Sequence, residues 1–116
     1  MMPDYKANLQ QETKSAILAY NMNRAQLVQT ASREGGPQAV TKLEDEFTAL
    51  CNADFALTQA TLNESHRQYR GLMEEAAACG ELLKQSIIEL RATASVLDLM
   101  AKTVMRVGRV LLMLTA

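Results

Sequence analysis

The sequence predicts an all-α fold, an elongated antiparallel helical hairpin or three-helix bundle that oligomerisation completes. The 116-residue chain is 48% hydrophobic but only 4% aromatic. More than half of the chain consists of alanine, leucine, glutamate, glutamine, lysine, arginine and methionine, which are the strongest helix formers. No sustained alternation of β-branched or aromatic residues with polar ones marks a strand. The length indicates a single domain, residues 1–116.

Helix 1 is expected at about residues 4–34, because apolar residues recur there at three- and four-residue spacing, as in Leu9, Ala16, Tyr20 and Leu27. The glycine pair at 35–36 predicts its end, since glycine reaches positive φ without steric cost.

Helix 2 is expected from about residue 37, because proline suits the first turn of a helix. Thr41 and Glu44 have the spacing of a capping box. The short connection makes helices 1 and 2 antiparallel neighbours. A turn centred on the glycine pair would place Tyr20 near Cys51 and Arg24 near Phe47.

The boundary between helix 2 and the last helix stays open between residues 63 and 80. The break lies in the polar segment 63–71, or at Gly80, or is absent because the apolar stripe continues through both. A turn at Gly80 would set Asp54 opposite Arg106, which predicts a buried polar pair and explains an acid within an apolar stripe.

The last helix, which extends to about residue 115, has an unusually wide apolar surface. A helix on the outside of a small monomeric bundle needs an apolar stripe only a little over ~100° wide. The excess predicts an oligomer or partner interface, and an aspartate at both Val107 and Leu111 is expected to dissociate it. The predicted interface residues are Leu97, Met100, Val104, Val107, Val110, Leu111 and Leu114.

Two other interpretations of this C-terminal stretch remain. It is the most buried helix of the bundle, or it lies on a membrane surface, although it lacks the wide lysine-rich face typical of such helices. Four charged residues between 96 and 116 oppose a membrane span.

Composition and spacing argue against several kinds of site. A net charge of −1 does not favour binding to nucleic acid by phosphate neutralisation, and the basic-aromatic segment 66–70 is interpreted as a polar turn. Cys51 and Cys79 form neither a disulfide framework nor a zinc pattern. Asp54, Glu64 and His66 show no catalytic spacing. No catalytic residue, cofactor or metal is expected.

The function expected from these features is that of a non-enzymatic interaction module, such as an adaptor or a chaperone-like accessory protein. Its expected partners are a second copy of the chain, with a dimer favoured, and/or a helical protein. The alternative is a structural subunit of an export or filament apparatus or of a phage-type assembly. Nucleic acid is not an expected partner, and membrane-surface contact is the less favoured possibility. The N-terminus lacks the regions of a signal peptide, which predicts a cytoplasmic location.

Overall fold

The computed structural model describes residues 4–115, which fold into three helices: α1 (Tyr5–Gln59), α2 (Tyr69–Ile88) and α3 (Thr93–Leu114). These described residues contain no β-strand. The all-α prediction is therefore confirmed. No helix among residues 4–115 combines the length and the apolar character that crossing a membrane requires.

The first helix is a hairpin of two arms, residues 5–35 and 37–59, joined at one non-helical residue. Gly36 has φ 71° and ψ −162°, a conformation that is essentially restricted to glycine. A Cβ on Gly35 would lie 2.7 Å from the Cβ of Ala39. The turn therefore needs both glycines, and it lies where the sequence predicts it.

The two arms pack in a register that differs from the expected one by about one helical turn. Tyr20 stacks on Phe47 with ring centroids 3.9 Å apart, so its direct partner on the second arm lies one helical turn before the expected Cys51. Arg24 donates to the carboxylate of Glu44, so Glu44 does not complete a capping box. Side-chain packing between the arms sets this register, and the number of residues in the turn does not fix it.

The polar segment is the boundary between α1 and α2, which resolves the three alternatives. Gly80 lies in the middle of α2, where a Cβ would be 3.5 Å from the Cβ of Glu12. A second break, at residues 89–92, was not expected. The predicted last helix is therefore two helices, and with the two arms of α1 residues 4–115 form four helical segments.

The four segments lie side by side. α2 begins beside the start of α1, where the rings of Tyr5 and Tyr69 meet edge to face at 6.3 Å, and α3 returns antiparallel to α2. At the start of α3, the Thr93 N–H donates to the carboxylate of Glu34. The principal dimensions are 47 × 24 × 19 Å. The largest fully buried side chains are Leu9, Tyr20, Leu43, Leu50, Leu57, Met73, Leu83, Ile87, Val96, Met100, Val107 and Leu114.

Candidate interaction surface

The inward side of α3 belongs to the core of the chain. It packs against α2 and the hairpin of α1, which together cover it. The inward residues, none of which has exposed surface, are Val96, Met100, Thr103, Val107, Val110 and Leu114.

This burial corrects four of the seven predicted interface residues. Met100, Val107, Val110 and Leu114 are fully buried within the chain and cannot also form the surface of the folded chain. The paired aspartate substitution would therefore disrupt the fold through Val107. The physical reason is the unexpected break at 89–92, because it creates a fourth segment that covers the apolar excess of α3.

The other three predicted interface residues lie at the edge of α3 that faces the second arm of α1. Leu97, Val104 and Leu111 are each half-buried. Leu97 lines a groove between α3 and the second arm near the hairpin turn, and Leu111 lines another near the C-terminus. Their participation in an interface stays a prediction.

The outward side of α3 carries a second apolar row that is exposed. Ala101, Met105, Gly108 and Leu112 follow one another at spacings of four, three and four residues, which places them on one face of a helix. All four are exposed, Met105 by 55% and Leu112 by 82%. Large apolar side chains exposed next to one another are typical of a contact surface.

Apolar grooves extend this row on both sides. On one side, Phe55 of α1 is 67% exposed and lines a groove with Gly108 and Leu112. On the other side, Met113 lines a groove with Met105 and Leu112. We call the exposed row together with Phe55 and Met113 the outer face of α3.

Phe55, Met105 and Leu112 are not among the predicted interface residues, because the sequence pattern does not separate the outward row of α3 from the inward one. The sequence does contain both rows, as two heptad-like patterns on one helix, of which one begins at Val96 and the other at Ala101. Only the positions of the neighbouring helices decide which row is covered.

The expected pair of Asp54 and Arg106 does not form. Asp54 bonds Lys14, with 3.1 Å between Oδ2 and Nζ, and Arg106 bonds Glu75, with 2.9 Å between Nη1 and Oε2. The prediction assumed a turn at Gly80 and is wrong, because α2 is continuous there. Both observed pairs lie at the protein surface, where an ion pair contributes at most about 1 kcal/mol.

The basic-aromatic segment lines a polar cleft at the start of α2. Arg70 bonds Glu74 and lies over the ring of Tyr5, 5.9 Å from its centroid. Burial, followed by the nearby carboxylates of Glu64 and Asp4, raises the pKa of Tyr69. Acids and bases both line this cleft, so it is not a basic surface. Its lining residues are Asp4, Tyr5, Glu64, His66, Arg67, Tyr69 and Arg70.

Neither cysteine lies in a reactive arrangement. Burial, followed by the charge of Asp54, raises the pKa of Cys51, which disfavours the thiolate. Cys79 is buried and accepts a hydrogen bond from the Thr103 hydroxyl at 3.4 Å. Among residues 4–115, no three histidine, cysteine, aspartate or glutamate side chains gather as a group that could hold a metal ion.

The comparisons with known proteins give no match. No protein-family model matches the chain, and neither a curated protein nor a solved structure is significantly similar to it.

Proposed function

We propose that the chain is a non-enzymatic helical interaction module, an adaptor or chaperone-like accessory protein that docks a helix on the outer face of α3. The observation that carries the proposal is the exposure of Met105, Leu112 and Phe55 beside one another. Water contact with these side chains is unfavourable by roughly 25 cal/mol per Å² of apolar surface. A partner that covers them gains this free energy.

A helix is the partner element that fits this face best. The exposed row follows the long axis of α3, and the flanking grooves follow it on both sides. An amphipathic helix inserts apolar side chains at three- and four-residue spacing into such grooves. In this proposal, association with the partner completes the elongated helical arrangement, and the protein acts in the cytoplasm.

Capture from native cell extract tests the proposal, with three versions of the purified chain as bait. Leu112→Asp places a charge on the outer face at a residue that lines the grooves on both sides. Met22→Asp is the matched control, since Met22 is 76% exposed on the first arm of α1. We expect specific proteins to be retained by the wild type and the Met22 variant and lost from the Leu112 variant. An identical set on all three baits contradicts the proposal.

A second exposed apolar surface favours the alternative of a structural subunit in an export, filament or phage-type assembly. Leu18 and Met22 lie one helical turn apart on the first arm of α1, outside the outer face, with exposed fractions of 59% and 76%. Two different apolar surfaces on one chain permit head-to-tail contacts that do not close. Light scattering distinguishes the two functions, because open-ended growth with concentration supports the subunit and a fixed small mass supports the module.

A further inference from the structure

The outward row of α3 has an order of side-chain sizes that is complementary to itself. From Ala101 to Leu112 the residues are small, large, small and large, and all are exposed. We propose that this row pairs with the same row of a second copy of the chain, with the two α3 helices antiparallel. The inference rests on the proposed function and names its partner.

Antiparallel pairing places each large side chain against a small residue. Leu112 of one copy lies against Ala101 of the other, and Met105 lies against Gly108. The same two contacts occur twice, as a two-fold interface requires. A parallel pair in register would instead set Leu112 against Leu112 and leave a void between the two Gly108 residues. Close packing of large side chains into gaps therefore favours the antiparallel pair.

The same arrangement covers the exposed phenylalanine. The two-fold axis passes between the levels of Met105 and Gly108. Phe55 lies beside Gly108 in the groove between α1 and α3, and an antiparallel helix pair sets this flank against the same flank of the second copy. The two Phe55 rings therefore meet near the axis, and each loses much of its 67% exposure.

On the opposite flank of the row, toward α2, each copy offers a charge that is complementary to one on the second copy. Arg109 forms no ion pair within residues 4–115. In the proposed register it lies opposite residue 104 of the second copy. At that level α2 carries Glu75, as the bond between Glu75 and Arg106 shows. The side chain of Glu75 is 56% exposed, so it is accessible to an arginine from the second copy.

Sedimentation equilibrium of the purified chain tests the dimer. Ile88 is 52% exposed on α2 and lies outside the outer face, so Ile88→Asp is the control. We expect the wild type and Ile88→Asp to dimerise, and Leu112→Asp to weaken dimerisation at least about a hundredfold, because it buries an unpaired charge. Far-UV circular dichroism at low concentration checks that each variant is folded. A wild type that stays monomeric at millimolar concentration overturns the proposal, as does a dimer that Leu112→Asp leaves intact.

Exchange of the side-chain sizes tests the register. Ala101→Leu sets two leucines against each other and Leu112→Ala leaves a gap, so each is expected to weaken dimerisation about tenfold. The double variant restores one large and one small residue at each contact and is expected to recover most of the affinity. If Ala101→Leu strengthens association instead, the face associates through nonspecific apolar contacts and the proposed register is wrong.

Failure of the self-pairing and failure of the proposed function give different results. A monomeric chain whose captured proteins are lost on Leu112→Asp contradicts the self-pairing and leaves the docking function supported. A monomeric chain whose captured proteins are the same with Leu112→Asp contradicts both.

Discussion

The carboxylate of Glu44 joins the second arm of α1 to the first arm. The Tyr20 hydroxyl donates to Oε2 of Glu44 at 2.9 Å, and Arg24 donates to Oε1 of the same carboxylate. Tyr20 is fully buried, so its hydroxyl would lose its hydration without a partner. Burial, followed by the hydrogen bond to Glu44, raises the pKa of Tyr20 well above its ordinary value of 10.0.

This raised pKa predicts a loss of stability at alkaline pH. Above pH 10 the tyrosine loses its proton in the unfolded chain but retains it in the folded chain, so the free energy of unfolding falls as pH rises, by up to roughly 1.4 kcal/mol per pH unit. Below pH 10 the group contributes no slope. Tyr20→Phe keeps the stacking on Phe47 and is expected to reduce this alkaline slope. Urea titrations of both proteins at pH 8–11 measure it, and equal slopes would contradict the assignment.

Ser86 is a buried residue whose hydroxyl has no partner. It lies in α2 with no exposed surface, and its Oγ makes no hydrogen bond. Because an unsatisfied buried hydroxyl is costly, Ser86→Ala is expected to raise the free energy of unfolding by about 1 kcal/mol. Ser15→Ala on α1 is the control, since it changes helix propensity without releasing a fully buried hydroxyl. A larger gain at Ser15 than at Ser86 would exclude this explanation.

The unexpected break between α2 and α3 is a Schellman turn without glycine. The Arg91 N–H donates to the carbonyl of Ser86 and the Leu90 N–H donates to that of Ile87, which is the pattern of this motif. Leu90 has φ 51°, a left-handed conformation that costs a non-glycine residue about 1–2 kcal/mol. The sequence shows no glycine, asparagine or proline there, so no local signal marks the break.

Leu90→Gly is therefore expected to raise the free energy of unfolding by about 1 kcal/mol or somewhat less. The substitution relieves the backbone strain, and this gain exceeds the cost of losing a side chain that is 44% exposed. Leu82→Gly is the matched control within α2. Leu82 is 56% exposed in helical backbone, so its replacement is expected to destabilise by about 1 kcal/mol. Thermal unfolding followed by circular dichroism compares them, and equal destabilisation by both would contradict the strained turn.

At the scale of the whole molecule, the two rows of α3 have different roles. Val107 is fully buried, whereas Leu112 is 82% exposed. Val107→Asp buries an unpaired charge and is expected to remove several kcal/mol of stability, a large share of what a small domain has. Leu112→Asp is expected to change it by no more than about 0.5 kcal/mol. Urea unfolding at low protein concentration, where association does not contribute, measures both, and similar losses would show that the rows are not distinct.

The sequence by itself determined the helical class and the turn at the glycine pair 35–36, and it left the polar segment 63–71 as one of three alternatives for the next boundary. These features are local, because helix propensity, the backbone freedom of glycine and a run of polar residues act within a few positions. It also indicated that the C-terminal helix has more apolar surface than an ordinary outer helix.

The tertiary structure alone decided which apolar residues of α3 are covered. Val107 and Leu112 are equally apolar in sequence, and their burial depends on where α1 and α2 lie. That placement follows from the break at Leu90, which tertiary packing stabilises against local preference, and from the register of the α1 arms. The outward row of α3 is thus the part of the apolar surface of this helix that the other three packed segments leave exposed.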